Sequence, residues 1–275
     1  MEIRKLTGGL GAEIRGADLR RPTDVAAVRD AFIEHSVVVI RDQALTPEDQ
    51  LGFARSFGPI NVNRFFAHHP DHPEVALVLK EPHQTGAIGE EWHTDHSYDH
   101  APAMGSILHA IETPPYGGDT CFVSMGMAYD ALSPRFKEMI AGLHAWHSSR
   151  HVFGASQADA DSVSSGRVGN AAAATQDALH PVVIRHPLSG RKGLFVNPQF
   201  TVRIEGLEPA ESDALLQSLY RHCQKPEFQC RVSWGQGDVT MWDNRATWHK
   251  AINDYHGHRR LMHRVTVEGV RLEAA

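Results

Sequence analysis

The chain has 275 residues and a formal net charge of −6, with 41% hydrophobic and 22% charged residues. That is enough chain for a full core and an ordinary soluble balance, with no apolar run long enough to cross a bilayer. The acidic charge, with no basic run carrying interleaved aromatics, argues against a nucleic-acid partner, and nothing argues for a membrane one. The start, MEIRKLTGGLGAEIRGADL, lacks the apolar segment and cleavage site of a signal peptide, so the cytosol is the expected location. Cys121, Cys223 and Cys230 are odd in number and lack CxxC spacing, which fits reduced thiols in the core. The count that stands out is 19 histidines.

In chain order, Val37 to Ile40 (VVVI) reads as a buried strand. Thr46-Pro47-Glu48-Asp49 then supplies an N-cap, a proline and acid for a helix that Phe57-Gly58-Pro59 stops. A second helix opens at Ser133-Pro134, with Phe136, Met139, Ile140 and Leu143 at core spacing. A third opens at Pro209 and carries Leu215, Leu216, Leu219 and Tyr220. Short extended segments are expected at Thr120 to Met125, Pro181 to Arg185, Leu194 to Val196, Cys230 to Trp234, Val239 to Trp242 and Leu261 to Val270. So many short strands between Gly, Pro and Asn turns suggest a sandwich or barrel. With no repeat or dividing linker, the expectation is a single domain over 1–275. Ala155 to Ala178 is small and polar, and the functional reading of it is a mobile lid over a site.

The densest chemistry lies in EEWHTDHSYDHAP, Glu90 to Pro102. In an extended segment, residues two apart share a face, so His93 and Asp95 could both reach one metal ion. His69-Pro70-Asp71 and His72-Pro73-Glu74 repeat the H-x-acid spacing, but they sit among prolines, where a turn is expected. The far end of the chain adds His249 and an arginine cluster leading into a final strand. Two histidines and one carboxylate leave metal positions open, as non-heme Fe(II) oxygenases require, whereas a structural zinc site is closed by four ligands. A mononuclear zinc hydrolase is the rival enzyme reading, and a non-catalytic jelly-roll binding protein is the rival outside catalysis.

The blocks GAEIRGADL, VVVIRDQALTPEDQ, WHTD, PPYGGDT, LHPVVIRHPLSGRKGLFVN, KPEFQCRVSW, WDNRATWHKAINDY and RRLMHR, in this order, resemble the TauD/TfdA family of Fe(II)- and 2-oxoglutarate-dependent dioxygenases over nearly the whole chain. The resemblance implies a mainly β fold with flanking helices around a double-stranded β-helix, or jelly roll. It also implies iron ligands at His93, Asp95 and His249, with no catalytic residue beyond them. Thr120 and Arg260 match the 2-oxoglutarate contacts, and Arg264 matches the residue holding the substrate's anionic group. In an extended strand Arg260 and Arg264 share a face about 13 Å apart, at roughly 3.3 Å per residue, too far to serve one small carboxylate. Arg259 and His263 then fall on the opposite face as structural residues.

By the same resemblance the enzyme hydroxylates an unactivated C–H bond of a small anionic organic substrate, using O2 and releasing succinate and CO2. Where the carbon carries a heteroatom leaving group, the bond to it then breaks. Taurine-specific members place a histidine and, three residues on, a tyrosine where Asn63 and Phe66 stand here, and an asparagine where Gly89 stands. Phe200 matches a pocket phenylalanine, and His96 is a candidate substrate contact. With Phe66 and Phe200, the expected substrates are sulfonates, sulfate esters or carboxylates more apolar than taurine. Members form dimers or tetramers, so a homo-oligomer is implied.

Overall fold

The computed structural model describes residues 1–154 and 166–275. Among them the chain runs β1 (Glu2–Lys5), β2 (Ala12–Arg15), α1 (Pro22–His35), β3 (Val37–Ile40), α2 (Pro47–Arg55), β4 (Ile60–Asn61), β5 (Ala76–Lys80), β6 (Gly105–Glu112) and β7 (Thr120–Ser124). It continues through α3 (Met125–Asp130), α4 (Pro134–Ile140), β8 (His144–Ser148), α5 (Arg150–Phe153), β9 (Asp177–Pro181), β10 (Val183–Arg185), β11 (Lys192–Leu194) and β12 (Thr201–Ile204). It ends with α6 (Pro209–Cys223), β13 (Gln229–Val232), β14 (Val239–Asp243), β15 (Thr247–Ala251), β16 (Arg260–Val267) and β17 (Glu273–Ala274). The fold is mainly β with helices outside a jelly-roll core.

The largest sheet has the order β1-β2-β3-β14-β6-β16-β4, with β5 also paired to β16. Its two faces are buried in different company, which is why VVVI has no polar residue. Val38 and Ile40 pack with Ile107, Met241 and Val265 against Phe32 of α1 and Leu51 and Phe53 of α2. Val37 and Val39 turn the other way, joining Leu108, Trp242 and Met262 against Phe122 of β7 and Cys230 and Val232 of β13. Period-two alternation thus serves two cores from one strand, and a one-residue slip would exchange them. The small sheet β13-β7-β15 faces the large one through Phe122 and turns Val123 and Trp248 outward under α6, where Leu216 and Leu219 cover them. Trp242 and Trp248 are both essentially fully buried, worth about 1.5–3 kcal/mol or more each.

The proline-marked helices form where expected. Thr46 caps α2 through a box in which its hydroxyl accepts from the Asp49 N–H and the Asp49 carboxylate accepts from the Thr46 N–H. α4 stops at Ile140, so Leu143 lies beyond it, and Met139 is 52% exposed; only Ile140 of the expected stripe is fully buried. The segment expected at Pro181 to Arg185 breaks at Val182 between β9 and β10, and the one at Leu194 to Val196 is shifted, with β11 ending at Leu194. The expected lid is described from residue 166 onward. There Val168 pairs with Phe66 in an isolated bridge, and Val168 and Ala174 are buried against Phe65, Phe66 and Phe200. Residues 155–165 lie outside the described part of the chain.

Candidate active site

WHTD is extended only through Thr94, and Asp95 opens a turn. What brings the two ends of the chain together is one backbone bridge: His93 N–H donates to His249 C=O at 3.1 Å, and His249 N–H donates to His93 C=O at 2.8 Å. Thr94 adds a hydroxyl bond to the Thr247 carbonyl at 2.9 Å. The imidazoles of His93 and His249 therefore lie with centroids 4.0 Å apart, and Asp95 reaches between them, Oδ1 3.7 Å from His93 Nε2 and Oδ2 3.5 Å from His249 Nε2. The ligand atoms of the three residues lie within 4.8 Å of one another, and all three are buried; no other such group occurs among the described residues.

Their protonation states suit a cation. Burial lowers the pKa of both histidines, and at His249 the neighbouring His93 lowers it further. His93 Nδ1–H donates to the Glu91 carbonyl at 2.7 Å, which fixes the tautomer with Nε2 as the free lone pair. Burial alone would raise the pKa of Asp95, but Arg264 and the two imidazoles outweigh it and hold the carboxyl well below its ordinary range. Two neutral nitrogens and one carboxylate oxygen are a borderline-soft donor set that suits a divalent transition metal. Asp95 Oδ2 is anchored by the Ser106 hydroxyl and by Arg264, each at 2.8 Å. Gly89 lines this wall with φ +85°, a conformation that favours glycine, and a Cβ there would crowd His93 Cε1 at 3.2 Å.

All ten residues singled out from the sequence line one cavity of about 200 Å³: His93, Asp95, His249, Thr120, Arg260, Arg264, Phe200, Asn63, Phe66 and His96. Arg260 and Arg264 point from one face of β16 into it, while Arg259 leaves the other way to pair with Glu81 and Glu112. Thr120 Oγ1 accepts from Trp234 Nε1 at 3.1 Å, and the Arg260 guanidinium packs over the same indole, 5.6 Å from the ring centroid. Arg260 is 5% exposed, its Nε has no partner, and among the described residues no acid lies in ion-pair range. Burial lowers its pKa against the opposing pull of Tyr255 and Asp119. A desolvated guanidinium with no anion is costly, and a carboxylate delivered to it would be held by paired charge-assisted bonds.

Asn63 lines the cavity, and its Oδ1 accepts from the Phe65 and Phe66 N–H groups and shapes the turn that presents Phe66. Tyr98, Phe153 and Val168 complete the apolar wall, and Ser106 supports Asp95 from β6. None of these four stands out in the sequence: Tyr98 sits on the turn that Asp95 opens, Phe153 on α5, Val168 on an isolated bridge to Phe66 and Ser106 on β6, and only the fold brings them together. His96 stands at φ +57°, in the left-handed region, with its ring turned to the cavity.

A family model described as taurine catabolism dioxygenase TauD, TfdA family, matches residues 2–266. The chain belongs to the TauD/TfdA family. It is 34% identical to an alkylsulfatase of Acinetobacter baylyi, over 98% of this chain and 85% of that protein. It is also 34% identical to an alpha-ketoglutarate-dependent sulfate ester dioxygenase of Pseudomonas putida, over 98% and 90%. A solved taurine dioxygenase from Burkholderia xenovorans superposes with a TM-score of 0.83 at 33% identity, over 99% of this chain and 91% of that one. As a TauD/TfdA member the protein is an oxidoreductase, a 2-oxoglutarate-dependent dioxygenase with a metal site. No helix among the described residues is long and apolar enough to cross a membrane.

Proposed function

We propose that His93, Asp95 and His249 hold Fe(II), that Thr120 and Arg260 bind 2-oxoglutarate, and that Arg264, Phe66 and Phe200 bind a small organic anion, with an alkyl sulfate ester as the first candidate. The single observation that carries this reading is Arg260, a buried guanidinium with no acid in ion-pair range among the described residues, in the same cavity as three converging metal-ligand atoms. A zinc hydrolase gives no reason for such a cation to wait there. The bound metal, with 2-oxoglutarate and O2, supplies the oxidation of a substrate C–H bond, and the cosubstrate leaves as succinate and CO2. This chain's own residues do the positioning. Arg260 fixes the distal carboxylate by charge, Thr120 adds a hydroxyl, and Arg264 offers a second guanidinium to the substrate's anion.

The Arg264 guanidinium lies over the Phe66 ring, 5.4 Å from its centroid, and Phe200 closes the wall near His93. An anionic head with an apolar tail matches that pairing of one cation with aromatic walls. Hydroxylation at the carbon next to a sulfate oxygen leaves a product that breaks down to an aldehyde and inorganic sulfate. Sulfonates and carboxylates present the same head to Arg264 and remain within the proposed class. Relatives described as acting on sulfate esters support the order of preference.

The test is succinate release with Fe(II), 2-oxoglutarate and O2 over a panel of alkyl sulfates, sulfonates and carboxylates. Turnover stimulated by one head group, with KM raised far more than the 2-oxoglutarate KM in Arg264→Ala, is the expected result. Equal effects on both constants would reassign Arg264.

A further inference from the structure

His96 is a polar group in this cavity that neither metal nor cosubstrate accounts for. It is 2% exposed, lines the cavity, and its Nε2 has no partner. Its other nitrogen is tightly held: Nδ1 lies 3.0 Å from Asp99 Oδ2, and the remaining oxygen, Asp99 Oδ1, accepts from Arg64 at 2.6 Å. The turn that carries the pair is pinned from outside, by His180 Nε2 on the Asp99 carbonyl at 3.0 Å and by Asn197 on the Ser97 hydroxyl at 3.0 Å. His96 takes a left-handed backbone to stand there, and strained residues that the surroundings over-determine cluster at ligand sites. Burying a ring nitrogen with no partner is costly unless a ligand supplies one.

The hydrogen-bond chain fixes what that ligand must offer. Burial would raise the pKa of Asp99, but its bonds from His96 and Arg64 hold it below the ordinary carboxylate value, so it is an acceptor on both oxygens. With Nδ1 donating to that carboxylate, Nε2 is the nitrogen left facing the cavity, and in the neutral imidazole it presents a lone pair. Resting on the reading of Arg264 as the anion grip, we infer that His96 Nε2 is a specificity contact that accepts a hydrogen bond from an O–H or N–H on the substrate. The preferred substrate is then a small anion that also carries a donor, such as a hydroxyalkyl sulfate, rather than a plain alkyl chain. Asp99 is a positioning residue that sets the tautomer, and Arg64 sets the orientation of Asp99.

Dissociation constants measured by calorimetry, on protein loaded anaerobically with Fe(II) and 2-oxoglutarate, test this. The probes are pentyl sulfate, its analogues with a hydroxyl on C2, C3, C4 or C5, and its analogues with an ether oxygen in place of the C3 or C4 methylene. Wild type is expected to bind one hydroxyl analogue about tenfold more tightly than pentyl sulfate and to gain nothing from an ether. In His96→Leu that ratio falls to about one. In Asp99→Asn, Arg64 still demands an oxygen at its side, so the amide NH2 faces His96, the proton moves to Nε2, and the ether analogue gains instead. A structural role for His96 would not invert the preference. No hydroxyl preference in wild type, or one that survives His96→Leu, overturns the inference. If pentyl sulfate binds and needs Arg264, only the His96 assignment falls; if it does not bind at all, the anion reading falls and takes this one with it.

Discussion

Two groups of histidines carry the same H-x-acid spacing and reach opposite ends. At His69, His72 and His263 the rings stand 5.3 Å apart in both pairs. His69 Nδ1 accepts the Asp71 N–H, and Asp71 itself is exposed. At His93, Asp95 and His249 a reciprocal backbone bridge holds the rings at 4.0 Å and a buried carboxylate enters between them. Spacing in sequence is shared; what differs is that one carboxylate is buried and locked by Ser106 and Arg264, while the other lies on an exposed turn. A metal site of this kind needs convergence and desolvation together, and only the second group has both.

The sharpest way to break that contrast is Asp95→Ala. Metal binding should be lost, and succinate release should fall by about a thousandfold or more, whereas Asp71→Ala should leave both unchanged; a metal titration and a succinate assay on the two variants decide it. Next in size, Arg260→Ala should weaken 2-oxoglutarate binding by roughly a hundredfold, as loss of one partner of a buried charged pair does, with Fe(II) affinity measured alone nearly constant. Ser106→Ala should cost about tenfold in metal affinity, read by competition with a chelator, because it frees one anchor of Asp95.

The smallest effect concerns the other cluster and is one of stability. Burial, with His69 and His109 beside it, lowers the pKa of His263 to about 4 from an ordinary value near 6.5. The unfolded chain therefore binds a proton there before the folded one does. The neutral ring is fully accommodated above pH 6.5, and stability is lost progressively as pH falls from 6.5 toward 4. His263→Gln should flatten that part of a Tm against pH curve without changing succinate release at pH 7.5.

Much of this was legible in the residues. Pro47, Pro134 and Pro209 mark helix starts because proline suits the first turn, and VVVI marks a strand buried on both faces. WHTD and His249 are readable as ligands once their order along the chain matches the family. Less legible were contacts made by strand pairing, such as Ser106 on Asp95, since nothing local links positions 11 residues apart. Nor did the chain announce α1, whose buried stripe of Val28, Ala31, Phe32 and His35 is diluted by small and polar neighbours. Asn63 lines the cavity and its Oδ1 also holds the turn that presents Phe66, a role of asparagine side chains toward nearby backbone N–H groups that only the folded chain displays. Asp99 carried no readable role until Arg64 and His96 were seen on its two oxygens.

The central claim is that one cavity holds Fe(II) and 2-oxoglutarate together. Adding both without oxygen and recording the visible spectrum tests it most directly, because chelation of the metal by the keto acid gives a weak charge-transfer band. Wild type should show the band, Asp95→Ala should not, and Arg260→Ala should need far more 2-oxoglutarate to reach it. A wild-type protein with no band, or a band untouched by Asp95→Ala, would contradict the claim.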